Sequence, residues 1–353
     1  MASWILHLSS ETGWRGGERQ VWLLARELAR QGVGQMLAAP RGSPLAERVG
    51  ELGIPVMALA PGVLGLARGG FAVARALRRR PGAILHAHSS PALDSARALR
   101  RCGPVAAVVH TRRVAFAVRA ARKYRAGADR YVAISRAVAD GLLGAGTPRE
   151  RLSIIPSGVD FAALDAAPAA APPFPDGDVV VGCVAQLTAE KGVVVLAQAW
   201  RHVARVQPTA RLVLIGDGPR RAEVVAALAG APSALVAGWR DDVAACLKRM
   251  DIYVQPSLQE GLGSTAIDAA ALGLGLVVSR TGGLPEVIDD GAAGVLARPG
   301  DADALAQALI ALIGDVQRRR ELGARARSYA RARFSCAAMA ASYHALYRDL
   351  GLA

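Results

Sequence analysis

Ile252-Tyr253-Val254-Gln255, then Pro256-Ser257, then Glu260-Gly261-Leu262-Gly263-Ser264-Thr265-Ala266-Ile267-Asp268 is the stretch on which the fold turns. A short apolar strand runs into a glycine-rich turn, and the turn opens a helical pattern over Thr265–Leu272. Leu276–Ser279 is a strand again. Gly261 and Gly263 let the backbone come close to a ligand. Ser264 is placed to cap the helix, whose free N–H groups and dipole favour phosphate oxygens. Glu260 precedes the helix and Asp268 lies about one turn into it. A carboxylate on either side of an anion site suits the binding of hydroxyl groups, such as those of sugars. The plainer alternative is a strand–helix turn with two solvated acids.

The alternation extends outward in both directions. In the second half, strands are predicted at Val179–Ala185, Arg211–Ile215 and Ala234–Ala237, with helices at Val193–Val206, Arg220–Leu228 and Val243–Met250. In the first half, strands are predicted at Ser3–Leu8, Gln35–Ala39, Val56–Leu59, Ala83–His86, Val105–His110 and Arg130–Ile134. Helices there open at Gly16-Gly17, over Leu45–Leu52, from Pro91 and, long and basic, near Val114–Ala126. Asp301–Tyr347 is helical by pattern. Alternating βα units imply parallel sheets covered by helices on both faces. Ala162–Ala171 is nearly all small residues and Pro172-Pro173-Phe174-Pro175 follows, which reads as an interdomain linker. The expected class is α/β, with two Rossmann-like doubly wound domains over residues 1–162 and 176–335, a linker over 163–175, and an interdomain cleft faced by the carboxyl ends of both sheets.

The length of 353 residues suits two domains of about 100–200 residues each. With 52% hydrophobic and 20% charged residues, the chain can bury a sizeable core and is not a disordered polymer. Its longest apolar run, near Ala269–Val278, is about half the length needed to span a bilayer, so no transmembrane helix is expected. Met1-Ala2-Ser3-Trp4 carries no basic leader, which points to a cytoplasmic protein. Cys102, Cys183, Cys246 and Cys336 are far apart, which excludes a zinc ribbon or a disulfide framework. Residues 1–165 hold 24 basic and 11 acidic residues, a net +13 of the total +14, whereas residues 166–353 carry only +1. That asymmetry suits an anionic partner for the first half: a membrane surface, a phosphorylated acceptor or nucleic acid. A general enrichment in arginine is the bland alternative, since only three of the 43 basic residues are lysines. Aromatic residues at 5% and the lack of any reading motif argue against nucleic acid.

Glu260-x7-Asp268 resembles the E-x7-E signature of retaining glycosyltransferases of family 4, which have the GT-B fold. Gly16-Gly17-Glu18-Arg19, Ile154-Ile155-Pro156-Ser157-Gly158-Val159-Asp160, Glu190-Lys191-Gly192, Ile215-Gly216-Asp217-Gly218-Pro219 and Gly282-Gly283-Leu284-Pro285-Glu286-Val287-Ile288 agree with that family in order and spacing. The resemblance implies a nucleotide-sugar held mainly by the second domain, an acceptor held by the first, no divalent metal, and a terminal helix near 336–353 that crosses back onto the first domain. It implies that Glu260 contacts the donor sugar, that Asp268 contacts the ribose, and that Gly261, Leu262, Gly263 and Ser264 cradle the donor phosphates. Asp268 is one methylene shorter than the usual Glu. Lys191 is implied as a point charge on the leaving diphosphate. Gln186 stands where the family usually has an Arg, so diphosphate stabilisation is expected to rest more on Lys191, the Gly261–Ser264 amides and Arg112 or Arg113. Gly16 and Gly17 are implied near the donor phosphates and acceptor, and Gly216, Gly238 and Trp239 near the nucleotide base. Trp239 either stacks or simply packs.

His86-Ala87-His88 ends a strand and puts two imidazoles on one face. A metal pair is conceivable there, but no third ligand is evident, so none is expected. In the family a histidine at this strand end reaches the donor sugar, and His88 matches it best. His110-Thr111-Arg112-Arg113 ends a neighbouring strand, and paired arginines can hold a phosphate of the acceptor or the donor, with a solvated basic loop as the alternative. The basic segment Arg112–Arg130, interleaved with Val114, Phe116, Val118 and Tyr124, suits either an anionic membrane surface or a solvated helix face.

The resulting expectation is a retaining glycosyltransferase with Glu260, His88 and Lys191 at the reacting centre. It would work at or near the cytoplasmic membrane, on an anionic or lipid-linked acceptor of envelope glycolipid or lipopolysaccharide assembly. A non-catalytic nucleotide-sugar-binding protein and an epimerase of the same fold are the alternatives.

Overall fold

The computed structural model describes residues 4–59, 62–118, 121–169 and 179–352. The chain forms two compact units, one of residues 1–158 with 336–353 and the other of residues 159–335.

The first unit carries seven parallel strands: β1 (Trp4–Leu8), β2 (Gln35–Pro40), β3 (Val56–Leu59), β4 (Ala83–Ala87), β5 (Val105–Arg112), β6 (Arg130–Ala133) and β7 (Leu152–Ile154). Their order across the sheet is β3-β2-β1-β4-β5-β6-β7. The chain therefore winds one way from β1 and the other way from β4, and the switch lies between those two strands. Register pairs Ile5 with Ile84 and His7 with His86 across it. The helix Gly16–Arg30 packs Leu23, Leu24 and Leu28 on this sheet. The helix Cys336–Asp349 covers the same face with Met339, Tyr343 and Tyr347.

The second unit carries β8 (Val180–Val184), β9 (Arg211–Ile215), β10 (Ala234–Gly238), β11 (Ile252–Gln255), β12 (Gly275–Ser279) and β13 (Val295–Ala297), all parallel, in the order β10-β9-β8-β11-β12-β13. Its switch lies between β8 and β11. All five residues of β12 are buried, as a strand covered on both faces requires. The helix Val193–Val206 lays Leu196, Trp200 and Val203 on the sheet. Trp200 is fully buried, and its indole N–H donates to Ser233 Oγ at 3.1 Å. Trp200→Ala should cost about 3–5 kcal/mol, read as a lower urea midpoint at unchanged slope. A loss below about 1 kcal/mol would show that this helix is not pinned there.

Several boundaries differ from the sequence expectation. The basic segment forms a helix only over Ala121–Ala126, and residues 113–118 are not helical. There the Arg112 guanidinium donates to the Phe116 carbonyl and folds the loop back; Arg119 lies outside the described residues. The first unit closes at Gly158, not at residue 162. The start of the expected linker is instead a helix, Phe161–Ala166, capped by Asp160 Oδ1 on the Ala163 N–H at 3.1 Å. Asp165 pairs with Arg331 at 2.5 Å and accepts at its carbonyl from Lys248 Nζ at 2.6 Å, which ties this helix to the second unit. Residues 170–175 of the expected linker lie outside the described residues. β7 and β13 are edge strands of three residues that periodicity does not reveal. Among the described residues no helix is long and apolar enough to cross a membrane, and all four cysteines are free thiols.

Candidate functional site

In the second unit the candidate residues gather at the carboxyl ends of β8 and β11, beside the switch. The loop after β8 makes a short 3-10 turn at Ala189–Lys191. The Glu190 carbonyl accepts from the N–H groups of Leu258 (2.8 Å) and Gln259 (3.1 Å), which draws this turn onto the loop after β11. Lys191 and Glu260 meet as a result, with Nζ 2.7 Å from Oε2. The same Oε2 accepts from Ser257 Oγ at 3.0 Å and from Gln255 Nε2 at 3.2 Å. Gln255 is held in turn by the Tyr253 hydroxyl at 2.5 Å. One carboxylate oxygen thus carries three donors. The other, Oε1, has no hydrogen-bond partner among the described residues. The Glu260 side chain is 11% exposed, enough for a ligand to reach that oxygen.

The helix beginning behind Glu260 spans Ser264–Leu272. Its N-cap is Gly263, at φ +93, so Ser264 is the first helical residue and not the cap that the sequence suggested. Gly263 takes this left-handed conformation, which a side chain disfavours. No acid lies in the first turn of this helix. Gly261, Leu262 and Gly263 are buried and Ser264 is half-buried. Asp268 lies inside the helix and is only 2% exposed. Gln186 is exposed just beyond β8. Gly216 ends β9, and its N–H donates to the Gly238 carbonyl at the end of β10 at 2.8 Å. Trp239 follows and is 65% exposed, so it does not pack in the core.

In the first unit the structure gathers a buried polar cluster that the sequence discloses only in part. β4 lies between β1 and β5, so His86 and His88 meet His7 from one side and Thr111 from the other. The His86 and His88 ring centroids are 3.9 Å apart. His86 Nδ1 contacts the Tyr347 hydroxyl at 2.6 Å and its Nε2 contacts Thr111 Oγ1 at 2.8 Å. His88 Nε2 lies 2.9 Å from His7 Nδ1, and His7 Nε2 lies 3.0 Å from Gln35 Oε1. Burial holds His7 down to about 4 and His110 to about 3, and pushes His86 and His88 well below the usual imidazole value. All four rings are neutral at pH 7. His110 Nδ1 donates to the Ala87 carbonyl at 3.1 Å. Gly16 and Gly17 form the first turn of the helix Gly16–Arg30, without positive φ, so no tight turn demands glycine there. Arg112 is consumed by Tyr124 (3.1 Å) and Phe116, whereas Arg113 reaches His88. His7 is the third imidazole that the sequence did not supply. Its signal was its place at the end of β1, which becomes informative only once β1 and β4 are neighbours.

Residues 178–315 match the family described as Glycosyl transferases group 1, and residues 14–163 match Glycosyltransferase Family 4. N-acetyl-alpha-D-glucosaminyl L-malate synthase of Bacillus anthracis is 33% identical over 144 residues, 40% of this chain and 38% of that protein. Alpha-maltose-1-phosphate synthase of Mycolicibacterium smegmatis is 28% identical over 253 residues, 63% of this chain and 64% of that protein. The chain spans less than two thirds of the length of the curated relatives it matches. Among solved structures, HepE of Anabaena in complex with UDP superposes with a TM-score of 0.83 at 18% identity, covering 98% of this chain and 100% of that one. Its complex with UDP-glucose gives 0.83 at 19% identity, covering 98% and 99%. At such identities the likeness establishes the fold.

Proposed function

The chain belongs to the group 1, family 4 glycosyltransferases of GT-B fold, and from that premise we propose that it moves a sugar from a nucleotide-sugar to an acceptor hydroxyl with retention of configuration. The observation that carries this reading is the Glu260 carboxylate, with one oxygen fixed by Lys191, Ser257 and Gln255 and the other open at the switch point. Oε1 is the acceptor for a sugar hydroxyl. Lys191 and the N–H groups that open the helix Ser264–Leu272 stabilise the charge that develops on the diphosphate as its bond to the anomeric carbon breaks. They offset that charge without a divalent metal. The acceptor oxygen forms the new C–O bond on the face that the diphosphate leaves, and its proton passes to the departing diphosphate oxygen. Asp268, 2% exposed inside that helix, is the proposed ribose contact, and the exposed Trp239 and the paired glycines Gly216 and Gly238 border the base.

The solved complexes of HepE with UDP and UDP-glucose support a nucleotide-sugar donor. The basic first half supports an anionic acceptor, lipid-linked at a membrane surface, in bacterial envelope glycolipid assembly. A thermal-shift panel of nucleoside diphosphates and nucleotide-sugars tests the donor half. Stabilisation by one base is expected, lost in Lys191→Ala. A flat panel with folded protein would overturn the reading in favour of a fold retained without donor binding.

A further inference from the structure

Arg113 is a cation without a counter-ion. Nη1 donates to the His88 carbonyl at 3.2 Å and Nη2 meets His88 Nδ1 at 3.3 Å, while its Nε is buried without a hydrogen-bond partner. Among the described residues no carboxylate pairs with it. Glu18 acts on it only through space, and Glu18 Oε2 is engaged by the Arg15 N–H at 2.9 Å. The Arg113 side chain runs past Gly17, whose missing Cβ would stand 3.9 Å from Arg113 Cδ. It therefore lies at the positive end of the helix Gly16–Arg30. A half-buried guanidinium whose Nε is shut off from water, beside a second positive pole and with no acid in contact, is left under-compensated until a ligand completes it.

The protons of the neighbouring imidazoles show how it is held. Gln35 Nε2 donates to the Ala25 carbonyl at 3.0 Å, and a carbonyl only accepts, so Gln35 Oε1 must face His7. His7 then carries its proton on Nε2, and its Nδ1 accepts from His88 Nε2–H. That leaves His88 Nδ1 as an acceptor. From the other end, a guanidinium only donates, so Arg113 requires the same acceptor at His88 Nδ1. Both ends of the chain demand one assignment, and every ring is neutral in it. The three imidazoles of His7, His86 and His88 bring nitrogens within 4.8 Å of one another, the spacing a metal would need. The lone pairs are already spent on this chain and on Thr111 and Tyr347, and Arg113 repels a cation.

We propose that Arg113 is the centre of a phosphate-binding site in the first unit, and that Gln35 and His7 are positioning residues that act through His88 to hold its guanidinium uncompensated. The ligand is a phosphate group, whether the diphosphate of a donor or a phosphate on the acceptor. The inference rests on the proposed sugar transfer only for the source of that phosphate. His88, with both ring nitrogens engaged, acts through Arg113.

The test is calorimetric titration of the full chain with inorganic phosphate and, separately, with UDP. Arg113→Gln should weaken phosphate binding at least tenfold. Gln35→Glu should do nearly the same at constant volume. A carboxylate there makes His7 an imidazolium that donates from both nitrogens, His88 must then protonate Nδ1, and that N–H opposes Arg113. Gln35→Leu removes the anchor without reversing it and should cost less. The imidazole 15N shifts provide a readout that mere structural damage would not move. His88 should be protonated on Nε2 in the wild type and on Nδ1 in Gln35→Glu.

If Arg113→Gln also weakens UDP, the donor supplies the phosphate; if UDP is unaffected while phosphate is lost, the acceptor does. Phosphate affinity unchanged in Arg113→Gln overturns the site. Affinity unchanged in Gln35→Glu overturns the positioning. Should Gln35→Glu fail to fold, a wild-type His88 protonated on Nδ1, or zinc taken up tightly by the three imidazoles, overturns the chain. Sugar transfer without phosphate binding at Arg113 sinks this inference alone. Phosphate binding at Arg113 in a protein that transfers no sugar sinks only the proposed function.

Discussion

Glu260→Ala and Lys191→Ala should each lower turnover by about 100- to 1,000-fold while the protein stays folded. The two side chains form one unit, so the double variant should lose little more than either single one. They should nevertheless fail differently. Lys191→Ala removes the charge proposed to face the diphosphate, so the affinity for a nucleoside diphosphate should fall together with kcat. Glu260→Ala removes the group proposed to hold the sugar, so kcat should fall while the affinity for the sugar-free diphosphate stays near that of the wild type. Stability should change little. Lys191 is a quarter exposed and can take up water when its partner is removed, so each truncation should cost about 1 kcal/mol, between the limits for exposed and buried pairs. Steady-state kinetics and calorimetry on both variants check this. Near-normal rates in both would remove these residues from the reacting centre, and equal losses of diphosphate affinity would show that the division of labour is wrong.

Each member of that pair was legible in the sequence, because each sits next to glycine in a loop after an apolar strand, but their contact was not. Such loops lie at the carboxyl end of a parallel sheet wherever the alternation is regular. The strands themselves were legible for a related reason: a strand such as β12, covered on both faces, is apolar throughout. What local pattern does not carry is sheet order. His7 and His88 are 81 residues apart, and they touch only because β4 inserts beside β1. Gln35 joins them from β2, on the other side of β1. Neither contact has a periodic signal. The same limit separates Arg112 from Arg113. As neighbours at a strand end they read as one basic pair, yet one turns to Tyr124 and the other to His88. Ser264 was misread because capping preferences favour serine, whereas this turn needs a positive φ one residue earlier, and Gly263 supplies it.

Gly282→Ala should be the most damaging change of a single atom outside the charged pair. Gly282 has φ +54, and a Cβ built there would overlap the carbonyl oxygen of Glu260. The left-handed conformation alone costs an alanine about 1–2 kcal/mol. The overlap is with backbone, which no rotamer change can relieve. The loop cannot swing freely either. Thr281 Oγ1 donates to the Leu258 carbonyl at 3.1 Å, the Gly283 N–H donates to the Glu260 carbonyl at 3.3 Å, and Leu284 is fully buried. The shift therefore falls on Glu260. Displacing a reacting-centre group by about 1 Å costs about 100-fold, so activity should drop by at least that much, and stability by about 2–4 kcal/mol. Gly230→Ala is the control. Its φ is +79, but nothing lies within 4 Å of the added atom and the residue is exposed. It should lose about 1 kcal/mol of stability and no activity. Rates measured well below both melting temperatures separate misplacement from unfolding. If Gly282→Ala then turns over like Gly230→Ala, the loop does not set the position of Glu260, and the carboxylate is held by Lys191, Ser257 and Gln255 alone.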